Sequence, residues 1–156
     1  MPAGSAIAPS SRRTVIKAFA ALLVAPSWAL RATPATRPRA AFGEEAFDAA
    51  VAELTDHATP TATDKVRIGV ARLAENGAVV PLKIEVELPD ARAIAILATK
   101  NPVPLVARFD LPAGTLGFIA TRIKLAESSE VVALIDTAAG WYMARQAVEV
   151  TIGGCS

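Results

Sequence analysis

From Val80 to Leu88 the chain alternates without a break. Val80, Leu82, Ile84, Val86 and Leu88 are apolar, and Pro81, Lys83, Glu85 and Glu87 stand between them. Successive side chains of a strand point to opposite faces, so this stretch presents one core face and one wet face. Such a stretch requires neighbouring strands to pair with and an apolar layer to cover it. Pro81 has no N–H to give a neighbour, which predicts that its end of the strand lies at an edge or a bulge.

The same period of two holds at Val66, Ile68 and Val70, which alternate with Arg67, Gly69 and Ala71; Glu75-Asn76-Gly77 between the two runs is a turn signal. Further strands are expected at residues 93–98, 105–111, 116–125, 131–136 and 141–152. Lys100-Asn101-Pro102-Val103-Pro104, Pro112-Ala113-Gly114-Thr115, Glu127-Ser128-Ser129-Glu130 and Thr137-Ala138-Ala139-Gly140 separate them. Seven short strands with turn signals every 8–14 residues predict an all-β fold, an antiparallel, immunoglobulin-like β-sandwich. The Cys…Trp…Cys signature of antibody domains is absent, so strand count and spacing carry this expectation. Ahead of the strands, Phe47, Ala50, Val51 and Leu54 fall at helical spacing, with Phe42 and Ala46 on roughly the same side. A short amphipathic helix packed on the sandwich is expected there, with Glu44, Glu45 and Asp48 suiting the positive end of its dipole. At 156 residues and 53% apolar content the chain can bury one substantial core.

The N-terminus reads as an address. Arg12-Arg13 precedes the apolar run from Ala18 to Ala25, which matches a twin-arginine export signal and is far shorter than the roughly 20 residues a spanning helix needs. Ser27-Trp28-Ala29 favours cleavage after Ala29, with Ala32 or a site near Ala40 as alternatives. Residues 30–41, with two prolines and no periodic pattern, read as a linker, and residues 42–152 as the folded domain. Loss of residues 1–29 removes Arg12, Arg13 and Lys17, leaving 13 basic against 15 acidic residues, a net charge of −2. The destination is then the periplasm, an oxidising compartment with no membrane attachment expected after export.

The C-terminus, Gly153-Gly154-Cys155-Ser156, carries the only cysteine, so no internal disulfide can form. Two glycines give the thiol a tether with few backbone limits, and a cysteine one residue from the end is poorly suited to burial. Free cysteine ionises near pH 8.5, and no His, Lys or Arg lies within nine residues on the N-terminal side to lower that value. Activation must therefore come from a partner's active site or from oxidation of the sulfur. A lone thiol in an oxidising compartment must be protected, conjugated or used; an idle or adventitiously oxidised cysteine is the alternative.

Other chemistries find little support. A dispersed +1 formal charge and 5% aromatic content argue against nucleic acid as a partner. His57 is the only histidine and no Cys/His ligand spacing occurs, so neither a metal site nor a bound cofactor is expected. No Ser-His-Asp set or phosphate-cradling loop is present. Arg122 with Lys124, and Glu85 with Glu87, read as solvated strand faces. Lys100-Asn101-Pro102 reads as a structured turn rather than a recognition loop. Trp141 and Tyr142 straddle the last strand, one for the core and one for a subunit interface.

Taken together, the twin-arginine signal, Leu73-Ala74-Glu75-Asn76-Gly77-Ala78-Val79-Val80-Pro81-Leu82, Lys100-Asn101-Pro102, Arg122-Ile123-Lys124-Leu125-Ala126 and the terminal Val150-Thr151-Ile152-Gly153-Gly154-Cys155 resemble the SoxY family. That family is the sulfur-carrier subunit of the periplasmic thiosulfate-oxidising system, and the resemblance spans about residues 42–156. It implies a carrier rather than an enzyme, with Cys155 holding sulfur as thiosulfonate or persulfide adducts at the end of a Gly153-Gly154 tether. It also implies a heterodimer with a SoxZ-like small subunit. A c-type cytochrome that conjugates thiosulfate, a manganese-dependent hydrolase that releases sulfate and a sulfane dehydrogenase are the implied visiting enzymes. Family tails continue past the cysteine with two glycines, whereas Ser156 follows it here, which leaves room for a specialised paralogue serving another pathway. Two other readings stand beside the carrier: a periplasmic binding or assembly module with an idle cysteine, and a thiol redox sensor, which lacks a second cysteine to resolve an oxidised sulfur.

Overall fold

The computed structural model describes residues 39–151. The export signal and all but the last three residues of the linker lie outside the described residues. The chain runs through helix α1 (Phe47–Thr55) and strands β1 (Thr61–Ala62), β2 (Val66–Val70), β3 (Leu73–Ala74), β4 (Val80–Val86), β5 (Ala91–Ala98), β6 (Leu105–Asp110), β7 (Phe118–Ile123), β8 (Ser129–Thr137) and β9 (Gly140–Val150). Two sheets form: a larger one in the order β1-β9-β8-β5-β6, with β3 also on β9, and a three-stranded one in the order β2-β4-β7. The sandwich and its short helix are as the strand spacing predicts.

The two central strands of the larger sheet, β5 and β8, are buried on both faces. In β5, Ile94, Ile96 and Ala98 pack toward the small sheet with Leu82, Ile84 and Ile123, while Ala95 and Leu97 pack the other way with Ala50 and Leu54 of α1. In β8, Val131, Ala133 and Ile135 join the inter-sheet core, and Val132 and Leu134 join the helix side. This two-sided burial is why 93–98 and 131–135 are continuous apolar runs, whereas β4, with one wet face, alternates. Trp141 and Tyr142 divide in the same way, Trp141 against the helix cluster and Tyr142 against the inter-sheet core. Both are half-buried by this packing.

Several local expectations are revised. The helix begins at Phe47 rather than near Phe42, so only Asp48 of the three acidic residues lies in its first turn. Ala46 at the N-cap offers no side-chain acceptor, which leaves the start of the helix to be set by packing. Its end is set by Asp56 and His57, both left-handed (φ 51° and 61°), with the His57 N–H donating to the Ala52 carbonyl at 2.8 Å. Ala41, assigned to the linker by its sequence, is fully buried against the helix cluster. Pro81 is not on an edge strand, because β4 is the centre of the small sheet. Pairing with β2 starts only at Val70↔Leu82, however, so the missing donor of Pro81 falls past the end of β2.

The sequence also hides two short strands. Leaving β1 on the edge of β9, the chain crosses to the other sheet as β2 and returns to β9 as β3. Both dipeptides run parallel to β9, an exception to the antiparallel plan. Asn76-Gly77 therefore connects β3 to β4 rather than closing a tight β2–β4 hairpin.

Because Leu134 is fully buried between the sheet and α1, truncating it removes packing that no other side chain replaces. Leu134→Ala is expected to lower the unfolding free energy by about 2–5 kcal/mol in urea titrations. A change below about 0.5 kcal/mol would mean that the helix layer is not docked on the sheet.

Candidate functional site: the root of the C-terminal tail

The predicted site residues Gly153, Gly154 and Cys155 lie outside the described residues. The structure does define the strand end from which they continue. β9 pairs with β8 up to Ser129↔Val148 and then outruns it. Beyond that point each of the next three backbone N–H groups finds a partner. The Glu149 N–H donates to the Arg72 carbonyl at 2.7 Å, the Val150 N–H to the Ser128 hydroxyl at 2.9 Å, and the Thr151 N–H to the Ala74 carbonyl at 3.0 Å. The Arg72 and Ala74 carbonyls extend the ladder on one side, and Ser128 takes the place of a missing ladder group on the other.

Two further segments brace this root. Gly77 packs between Leu125 and Val150, and the Leu125 N–H donates to its carbonyl at 2.7 Å. A Cβ at position 77 would stand 2.5 Å from the Leu125 carbonyl oxygen and 2.9 Å from Val150 Cγ1. The glycine is thus required by close approach and not by a left-handed turn, since its φ is not positive. Asn101 acts as a clip: its Nδ2 donates to the Lys124 carbonyl and its Oδ1 accepts the Ala126 N–H, each at 2.9 Å. Next to it, the Thr99 N–H donates to the Glu130 carbonyl at 3.0 Å and the Glu130 N–H to Thr99 Oγ1 at 3.1 Å. Ser129 Oγ accepts the Lys100 N–H at 3.1 Å.

The segments around Gly77, Asn101 and Leu125 are far apart in sequence, yet all converge on the end of the sandwich where β9 terminates. Lys100-Asn101-Pro102 is a structured turn, as expected. Glu85 and Glu87 both pair with Arg67 on the exposed face of the small sheet, an arrangement of little energetic weight at a solvated surface. Arg122 sits opposite Pro81 on that face. Among the described residues, no group of three His, Cys, Asp or Glu side chains is placed to hold a metal ion. What this end of the molecule can do is mechanical: it holds the base of the tail in a fixed place and direction.

Ser128 and the carbonyls of Arg72 and Ala74 escape a reading of the sequence. A backbone carbonyl leaves no residue signature, and Ser128 sits in what reads as an ordinary polar turn. Serine beside a strand start, where its hydroxyl can replace a ladder partner, is the one usable signal.

Gly77→Ala must push back either the Leu125 carbonyl or Val150. The expected result is a loss of about 1–3 kcal/mol of stability, with faster amide exchange at Val150 and Thr151 than at Ile135. Unchanged exchange at those two amides would show that Gly77 does not brace the tail root.

The sulfur oxidation protein SoxY family matches residues 51–155, a span that takes in the tail-root segments and Cys155. Among solved structures, the sulfur carrier protein SoxY from Chlorobium limicola f. thiosulfatophilum is 29% identical, with a TM-score of 0.61 over 67% of this chain and 96% of that one. A superoxide reductase (neelaredoxin) from Ignicoccus hospitalis is 16% identical, with a TM-score of 0.50 over 57% of this chain and 82% of that one, a likeness of fold alone. No curated protein matches significantly. The family match covers well over half of the sequence, and the chain belongs to the sulfur oxidation protein SoxY family.

Proposed function

We propose that this protein is a covalent carrier in sulfur oxidation, holding intermediates on Cys155 and presenting them to enzymes that act on them. The observation that carries this reading is positional. The family match runs through residue 155, and the only thiol in the chain lies four residues beyond the braced Thr151. Fully extended, four residues can carry the sulfur about 13–14 Å from Thr151. A thiol that must enter several recessed sites needs this combination of fixed origin, reach and little bulk, which Gly153 and Gly154 supply.

The chemistry on that sulfur balances as follows. The Cys155 thiolate joins the outer sulfur of thiosulfate, forming an S–S bond and a Cys–S–S–sulfonate while two electrons leave, one to each of two ferric c-type haems. Water then attacks the sulfonate sulfur under a manganese-dependent hydrolase. The bond to the sulfonate breaks, sulfate and two protons leave, and the anion of a Cys155 persulfide remains. A sulfane dehydrogenase is the candidate for oxidising that remaining sulfur. The carrier supplies the attachment atom and the mount, and its partners supply catalysis. In this reading residues 1–29 direct twin-arginine export, the chain works in the periplasm, and it pairs with a SoxZ-like small subunit.

Cys155→Ser should abolish thiosulfate-dependent reduction of the c-type cytochrome. The melting temperature and the complex with the SoxZ-like subunit should be unchanged, because the substitution touches none of the described packing. Full cytochrome reduction by Cys155→Ser would overturn the carrier reading.

A further inference from the structure

We propose that the free edge of β7 pairs antiparallel with the β7 edge of a second copy of this chain, joining the two small sheets across a two-fold axis at Ala120. The proposal goes beyond the carrier reading and does not rest on it. β7 ends the small sheet, and among the described residues no strand pairs with its outer side. An open strand edge is a template for another strand, and proteins guard such edges with bulges, prolines or charge. β6, the edge of the larger sheet, is guarded in this way. Its pairing with β5 shifts register at Ile96/Leu97, Pro104 precedes it and Pro112 follows it closely. β7 keeps an unbroken register with β4 and contains neither proline nor glycine, and its first residue, Phe118, is 48% exposed.

The backbone sets which groups are on offer. The Val86 N–H donates to the Gly117 carbonyl at 2.7 Å, and bonded and non-bonded pairs alternate from there along β4 and β7. Ile119, Thr121 and Ile123 thus turn their N–H and C=O groups toward β4, and Phe118, Ala120 and Arg122 turn theirs outward. Self-pairing centred on Ala120 sets Ala120 against its own copy, and the Arg122 N–H of one copy against the Phe118 carbonyl of the other. One step toward the strand end, the pairing needs the Lys124 carbonyl, which Asn101 Nδ2 already engages at 2.9 Å. One step the other way, Arg122 passes beyond the start of the opposing strand. The side chains favour the central register. On the outer face Glu85 stands beside Phe118 and, together with Glu87, outnumbers Arg67, so this end of the strand is acidic. Arg122 and Lys124 make the other end basic. A reversed copy lays each basic end on an acidic one and brings the Arg122 guanidinium beside the Phe118 ring. The two-fold axis uses both β7 edges, so assembly closes at the dimer.

The test is sedimentation equilibrium of the full chain in reductant, which removes any dimer linked through Cys155. The parent protein should reach twice the 16.2 kDa of one chain. Ala120→Pro should be monomeric with unchanged circular dichroism, because the Ala120 N–H faces away from β4 and serves no bond within the sheet. Phe118→Lys puts a cation opposite Arg122 and should weaken association at least about ten-fold, and adding Arg122→Glu to it should restore association. A monomeric parent protein, open-ended aggregates, parent-like dimerisation by Phe118→Lys, or a double variant no better than Phe118→Lys would overturn the pairing. With the SoxZ-like subunit added, an assembly holding two of each chain is expected. A complex with one of each would overturn the pairing, and its loss in Ala120→Pro would assign the edge to the small subunit instead. None of these outcomes touches the carrier reading, which the loading of Cys155 tests.

Discussion

Burial of the central strands of the larger sheet on both faces is the constraint on which the rest of the molecule depends. β5 and β8 have α1 on one side and the small sheet on the other, so residues 93–98 and 131–135 have no wet direction. A strand held this way cannot slip by one residue, because a slip would exchange Leu134 with Ile135 between two differently shaped cores. β9 is paired to β8 over its length from Gly140 to Val148 and inherits that register. Arg145 adds to the hold from outside, lying 5.5 Å from the Phe47 ring and 3.2 Å from the Glu130 carboxylate.

That fixed register is what gives the tail root its meaning. Where β8 stops supporting β9, Ser128, Ala74 and Gly77 take over, and Asn101 secures the loop that supports Gly77's neighbour Leu125. The stiffness of the core is thereby carried to Thr151. A carrier with a loose base would spread its sulfur over many directions, and each enzyme would wait longer for a productive approach. A fixed base confines the search to the tether itself.

Much of this was legible in the residues, and the unread parts share a cause. The alternation of β4 and the apolar runs of β5 and β8 report side-chain burial, which sequence encodes directly, so the sandwich could be read. The strand-switching segment from β1 to β3 could not, because its two dipeptides are fixed by backbone pairing to β9 and not by any pattern of their own. Gly77 was visible as a special position, but its reason, contact with Leu125 and Val150, needs residues distant in the chain. The helix start shifted for a related reason: Phe42 shares the apolar side of α1 yet packs beside it as part of the entering turn. Cys155 stands out in the sequence by its singularity, whereas the bracing of Glu149, Val150 and Thr151 is spread over backbone atoms that carry no label.

Mass spectrometry of the C-terminal peptide, from protein isolated out of cells oxidising thiosulfate, addresses the central claim most directly. The account predicts Cys155 bearing a thiosulfonate or sulfane sulfur, with the adducts lost on reduction and absent from cells grown without oxidisable sulfur. A peptide that carries only free thiol under both conditions would contradict it.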